Sequence, residues 1–220
     1  MNPNIKLEKI MSCPFKPKWE RRKEARPQEL LAAALDLFVE RGFAATRLDD
    51  VAKAAGVSKG TLYLYFSSKE DLFKAVVRES IIPLIGEAEG MIGEFNGNSE
   101  ELFRTVMTNW WQTMGMTKLS GLPKLMMAEA GNFPELARFY QEEVVNRGEK
   151  LVASMLARGM QREEIRKVDL EVDARLLIAP MLMMMMWKHS SGVCMVEEEK
   201  LETYLEHYIQ MAIHGLMIKK

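Results

Sequence analysis

The stretch from Thr46 to Lys69, TRLDDVAKAAGVSKGTLYLYFSSK, most constrains what this chain can fold into. Thr46 and Asp49 fit a T-x-x-D capping box, which predicts a helix starting at Arg47. Leu48, Val51, Ala52 and Ala55 then recur at helical spacing and give that helix one apolar face. Gly56 stands where a chain leaving a helix needs positive φ, which glycine adopts without steric cost. Ser58 can cap a second helix. That helix carries Lys59, Thr61, Tyr63 and Tyr65 outward, with Leu62 and Phe66 turned inward. A short helix crossing another and rich in Lys, Thr and Tyr suits a DNA major groove.

The flanks extend the pattern. Pro27 is a good first helical residue, and a helix to Arg41 has Leu30, Ala34, Leu37 and Phe38 on its core face, ending at Gly42. Ser67 or Ser68, three residues before Glu70 or Asp71, starts another helix that runs past Val77. Taken together, ALDLFVERGFAAT, LDDVAKAAGVSKGTLYLYF and SSKEDLF resemble the DNA-binding domain of TetR/AcrR-type bacterial transcriptional regulators. The resemblance covers about Gln28 to Leu72. Beyond it the chain is similar only in length and helical character. It implies an all-α fold, with an N-terminal helix-turn-helix three-helix head and a larger C-terminal helical ligand-binding and dimerisation domain. The boundaries expected are a flexible basic arm at 1–25, the DNA-binding domain at 26–74, and the effector-binding and dimerisation domain at 75–220.

The resemblance also assigns roles. Arg47, Ser58, Lys59, Gly60, Thr61, Tyr63, Tyr65 and Lys69 occupy DNA-contacting positions. The chemistry agrees: Lys59 and Thr61 open the recognition helix, where side chains reach base edges or phosphate. Gly60 permits close approach. Tyr63 and Tyr65 can donate hydroxyls to phosphates, and Lys69 with the amides of its helix N-terminus can hold one. Two such heads on a homodimer would read successive major grooves of double-stranded DNA. Helices at about 170–188 and 198–217 are the candidate interface, through Leu176, Leu177, Met184, Leu201, Tyr204, Leu205, Tyr208 and Met211. A ligand-released repressor on a palindromic operator is the implied function.

Charge distribution fits this better than charge itself. The net charge is only −1 over 220 residues, yet residues 1–74 hold 14 basic against 10 acidic side chains and the remainder 16 against 21. The phosphate-facing part is therefore N-terminal. Residues 1–25, with Lys16, Lys18, Arg21, Arg22 and Lys23, read either as a solvated tail or as an arm touching DNA.

Further helices are expected at about 99–116, 122–130, 134–158, 170–188 and 198–217, and Pro83 should kink or break the chain. The body is methionine-rich, with Met181 and Met183 to Met186 preceding Trp187. Methionine fills ordinary cores and also lines adaptable apolar pockets. Trp110, Met114, Met183, Met184 and Trp187 are the candidate lining of a cavity for a small apolar or amphipathic effector. Trp110 and Trp111 point about 100° apart on a helix, so they face different environments. Glu129, in MMAEAG, reads equally as a buried hydrogen-bonding group, a contact for a cationic ligand, or an exposed side chain.

Other chemistries lose on context. GVSKG at 56–60 spells G-x-S-x-G, but that nucleophile elbow needs a preceding strand, and AKAA continues a helix. A hydrolase is the weak alternative. An architectural nucleoid protein is the other, and it has no need of a large Met-rich body. His189, His207 and His214 show no metal-ligand spacing, and no cofactor is called for. Cys13 and Cys194 form no C-x-x-C pair, which fits a reducing cytoplasm. The apolar run Leu176–Trp187 is too short for a bilayer, with Pro180 interrupting it.

Overall fold

The computed structural model describes residues 26–190 and 197–218, so the expected arm at 1–25 lies outside the described residues. These residues form eleven α-helices, with no strand beyond an isolated bridge between Ile165 and Met217. The amphipathic α1 (Arg26–Arg41) buries Leu30, Ala34, Leu37 and Phe38. It packs on α2 (Leu48–Ala54) and α4 (Lys69–Ser80), while α2 crosses α3 (Lys59–Tyr65). Phe38, Phe43 and Phe73 meet with ring centroids 5.4–5.7 Å apart and form the centre of this small core.

The turn between α2 and α3 follows the sequence reading. Gly56 has φ +65°, and Val57 N donates to Ala52 O at 2.9 Å. Ser58 Oγ accepts from Thr61 N at 3.1 Å and caps α3. The start of α2 does not. Its N-cap is Arg47, which makes no side-chain cap bond. Thr46 is 1% exposed, and its hydroxyl is shared between Leu37 O (3.1 Å) and Gly42 O (2.7 Å). Thr46 thereby ties the end of α1 to the turn that follows it. Asp49, the supposed partner in the box, pairs with Lys59 instead.

Downstream, α5 (Ile82–Glu94) follows α4 after a break at Ile81. Pro83 falls in the first turn of α5, where its missing N–H forfeits no helical bond. A capping box of Asn98 and Glu101 starts α6 (Ser99–Trp110), which continues into a π turn at Trp111–Gly115. Trp111 is fully buried there and Trp110 half-buried, as adjacent helical positions require. α7 (Gly121–Glu129) and α8 (Pro134–Tyr140) follow, and a second π turn joins α8 to α9 (Asn146–Gln161). α10 (Leu170–Lys188) has the bounds expected from the sequence and runs through Pro180 without interruption. α11 (Glu198–Leu216) closes the bundle. Of the expected interface set, Leu177, Met184, Leu201 and Leu205 are buried within the chain, and Tyr208 donates to Leu177 O. Leu176, Tyr204 and Met211 face outward.

Gly121 is where the N-terminal helices meet α7. A Cβ there would lie 2.4 Å from Val39 Cγ1 and 2.8 Å from Cγ2. Val39 is β-branched and stiff, so Gly121→Ala should cost about 1–3 kcal/mol by overpacking, read as a lower urea midpoint. Leu62 is fully buried while Tyr63 is 47% exposed. Leu62→Ala should therefore cost roughly 2–5 kcal/mol, and Tyr63→Ala should stay within about 0.5 kcal/mol of the parent. Urea denaturation of both variants checks that facing.

Candidate nucleic-acid interface and apolar cavity

α3 presents a mixed polar and apolar face. Arg47, Ser58, Lys59, Gly60, Tyr63 and Tyr65 are exposed and Thr61 is half-buried. Lys59 Nζ lies 2.8 Å from Asp49 Oδ1 and 5.9 Å from the centre of the Tyr63 ring. The Asp49 carboxylate, by hydrogen bond and by charge, raises the Lys59 pKa, and the positive Arg47 nearby opposes it. The two cations are thus close enough to sense each other. An exposed ion pair of this kind contributes little, so Lys59 can exchange Asp49 for a phosphate. Ser58 and Thr61 bond each other through their hydroxyls at 2.8 Å. Gly60 opens onto free space, its nearest neighbour to a built Cβ being Ser58 Oγ at 3.8 Å.

Leu64, absent from the sequence-based set, is 83% exposed between the two tyrosines. A leucine standing free on a recognition-type helix suits apolar contact with a thymine methyl. Its signal was legible: it lies two positions from Leu62, off the buried face.

Lys69 is placed differently. Its ammonium donates to Phe43 O at 2.6 Å and Ala44 O at 3.0 Å, and it sits 4.5 Å from the centre of the Phe43 ring. Burial lowers its pKa, against the pull of Glu70 and Glu129. Across the same loop, Glu129 Oε1 accepts from Ala44 N at 2.9 Å, and Phe133 meets Phe43 edge-on at 4.7 Å. Glu129 is therefore a half-buried hydrogen-bonding group.

The body holds an apolar cavity of about 450 Å³, within the range of small-molecule sites. Ile81 and Ile85, Met107 and Trp110, Met126, Val144, Val152, Ile178 and Met181 contribute walls. Trp110 and Met114 line it as expected; Met183, Met184 and Trp187 do not. The reason is helical phase. α10 turns Ile178, Met181 and Leu182 to the cavity, which leaves Met184 in the core and Met183 half-exposed. Trp187 packs on Tyr204 of α11 at 5.6 Å. A run of apolar residues hides that phase, because every position fits every face.

Comparison with known proteins agrees with this architecture. The family model described as bacterial regulatory proteins, tetR family, matches residues 30–76, and the tetracyclin repressor-like C-terminal domain matches residues 96–196. The chain belongs to the TetR family. It is a DNA-binding transcriptional regulator. It is 26% identical to the HTH-type transcriptional repressor KstR2 of Rhodococcus jostii over 196 residues, 88% of this chain and 92% of that one. It is 48% identical to the HTH-type transcriptional regulator RutR of Escherichia coli over 62 residues, 28% of this chain and 29% of that one. Among solved structures, FadR from Bacillus subtilis in complex with stearoyl-CoA superposes with a TM-score of 0.68 at 20% identity, covering 86% of this chain and 98% of that one. Among the described residues of this TetR-family regulator, no helix is long and apolar enough to cross a membrane and no cluster could hold a metal ion.

Gly148 offers a clean test of the cavity. It lines the space, and a Cβ built there has nothing within 4 Å. Gly148→Phe should fill the cavity and also favour the helix by removing a glycine. The expected result is loss of binding of the apolar dye N-phenyl-1-naphthylamine without a lower melting temperature.

Proposed function

We propose that this chain is a homodimeric repressor that binds a (pseudo)palindromic operator and is released when a small apolar or amphipathic molecule enters the cavity. The observation that carries this reading is the combination of an outward-facing, capped α3 with a sizeable apolar cavity in the same chain. Residues 26–74 act as the DNA-binding head and 75–220 as the effector-binding and dimerisation part. Arg47, Lys59, Tyr63 and Tyr65 contact phosphate, Ser58, Thr61 and Gly60 sit at the groove edge, and Leu64 meets bases. Lys69 acts through the loop it holds, fixing the angle at which α2 and α3 are presented.

Dimerisation is supported by the outer faces of the last two helices. Val172, Leu176 and Met183 of α10 and Tyr204 and Met211 of α11 are exposed, with Met211 at 75%. On α10 they recur at spacings of four and seven, one stripe of the helix. Clustered exposed apolar side chains mark an interaction surface. A twofold pairing there would set two α3 helices in successive major grooves, about 34–36 Å apart. The stearoyl-CoA complex of the B. subtilis relative supports a molecule with a long apolar chain as the kind of effector a body of this fold takes. A ligand releases DNA only if it binds the incompetent conformation better, and a coupling of about 1–3 kcal/mol weakens operator affinity roughly 5- to 150-fold.

Selection from random duplexes should return a motif with two related half-sites. Lys59→Ala and Tyr63→Ala should each weaken binding to it by about 1–3 kcal/mol, and Lys59→Ala should reduce the salt slope by about one. A selection that enriches no motif would refute the reading.

A further inference from the structure

One polar group at the cavity has no protein partner among the described residues. Tyr140 ends α8, lines the cavity and is 7% exposed. Burial alone acts on its hydroxyl, pushing its pKa up, with no hydrogen bond contributing among the described residues. Buried hydroxyls are as a rule paired. Tyr208, also largely buried, follows that rule by donating to Leu177 O. The Tyr140 hydroxyl has no such partner among the described residues, and Tyr140 lines the cavity.

The charges at the cavity offset one another. Glu149 and Arg175 are the charged side chains in its wall. Arg175 forks onto Glu149 at 3.0 and 3.3 Å, and Glu171 stands 3.6 Å from the same guanidinium. One cation thus faces two carboxylates. Glu171 stands outside the wall, so within it Arg175 and Glu149 balance, and an ion entering this otherwise apolar space gives up its hydration without meeting a net opposite charge. The rest of the wall is apolar apart from the Gln141 amide, which donates to Asn146 Oδ1 at 2.8 Å.

We propose that the effector is an uncharged, predominantly apolar molecule with a single hydrogen-bonding oxygen, such as an alcohol, ketone or ester, and that the Tyr140 hydroxyl binds that oxygen. This rests on the cavity being the effector site. Tyr140 selects by leaving its hydroxyl unsatisfied when a purely apolar molecule binds, and the Arg175 cluster selects against charge.

Four probes sharing a decyl chain test it: decane, decan-1-ol, decanoate and decyltrimethylammonium. Each displaces N-phenyl-1-naphthylamine from the full-length chain and from Tyr140→Phe. Decan-1-ol should bind about tenfold more tightly than decane to the parent. Tyr140→Phe should remove that advantage and leave dye and decane binding unchanged. Both ions should bind at least about tenfold more weakly than the alcohol. Equal or tighter binding of either ion, or an alcohol affinity indifferent to Tyr140→Phe, would overturn the neutral-oxygen assignment while leaving the cavity as the effector site. Failure of the dye and all four probes to bind the parent would overturn the cavity reading, and this inference with it.

Discussion

The structure depends on how Phe43 and its loop are held between α1 and α2. The ring closes the aromatic core with Phe38 and Phe73 on one side and meets Phe133 of the body on the other. The backbone is fixed as firmly. Lys69 binds the carbonyls of Phe43 and Ala44 from below, and Glu129 binds the Ala44 amide from across the loop. The part-buried Phe43 carbonyl needs such a partner, since leaving a buried group unpaired costs far more than pairing it contributes. A few residues thereby set where α2 begins, and α2 in turn aims α3.

That joint also touches the cavity. α7 places Met126 and Met127 in the cavity wall and ends at Glu129, the residue that grips the loop. Gly121 at its other end presses on Val39 of α1, and Lys118 just before it pairs with Asp36 at 2.6 Å. One short helix therefore borders the apolar space on one face and α1 with the Phe43 loop on another. Packed interiors transmit displacement because they have little free volume, so a molecule that shifts α7 shifts the loop with it.

Two lysines ten residues apart divide the work of the N-terminal helices. Lys59 is exposed, and Asp49 raises its pKa; the pair is weak and open to exchange. Lys69 is partly buried, and desolvation lowers its pKa; its ammonium is committed to two carbonyls. Charge alone does not separate them. The difference is the dielectric and the partners that the fold supplies.

Local chemistry decided much of this protein. The α3 cap at Ser58, the positive φ at Gly56, the inward Leu62 and the helical bounds at Leu170–Lys188 were all legible, because each depends on neighbours within a turn or two. Outward orientation of Lys59, Tyr63 and Tyr65 followed from the same periodicity. Contacts that form only when separate helices pack were not legible. Thr46 reads as a cap until α1 brings it the carbonyls of Leu37 and Gly42. Glu129 has no sign of its task until α7 docks beside Ala44, 85 residues away. The methionine run of α10 carries no phase of its own, so only packing against α9 and α11 determined that Met181 faces the cavity and Met184 the core. Sequence determined which segments are helical and which side of a short amphipathic helix is wet. Tertiary structure decided which polar groups pair and which apolar faces enclose a space, because both depend on distances the chain acquires only when its helices meet.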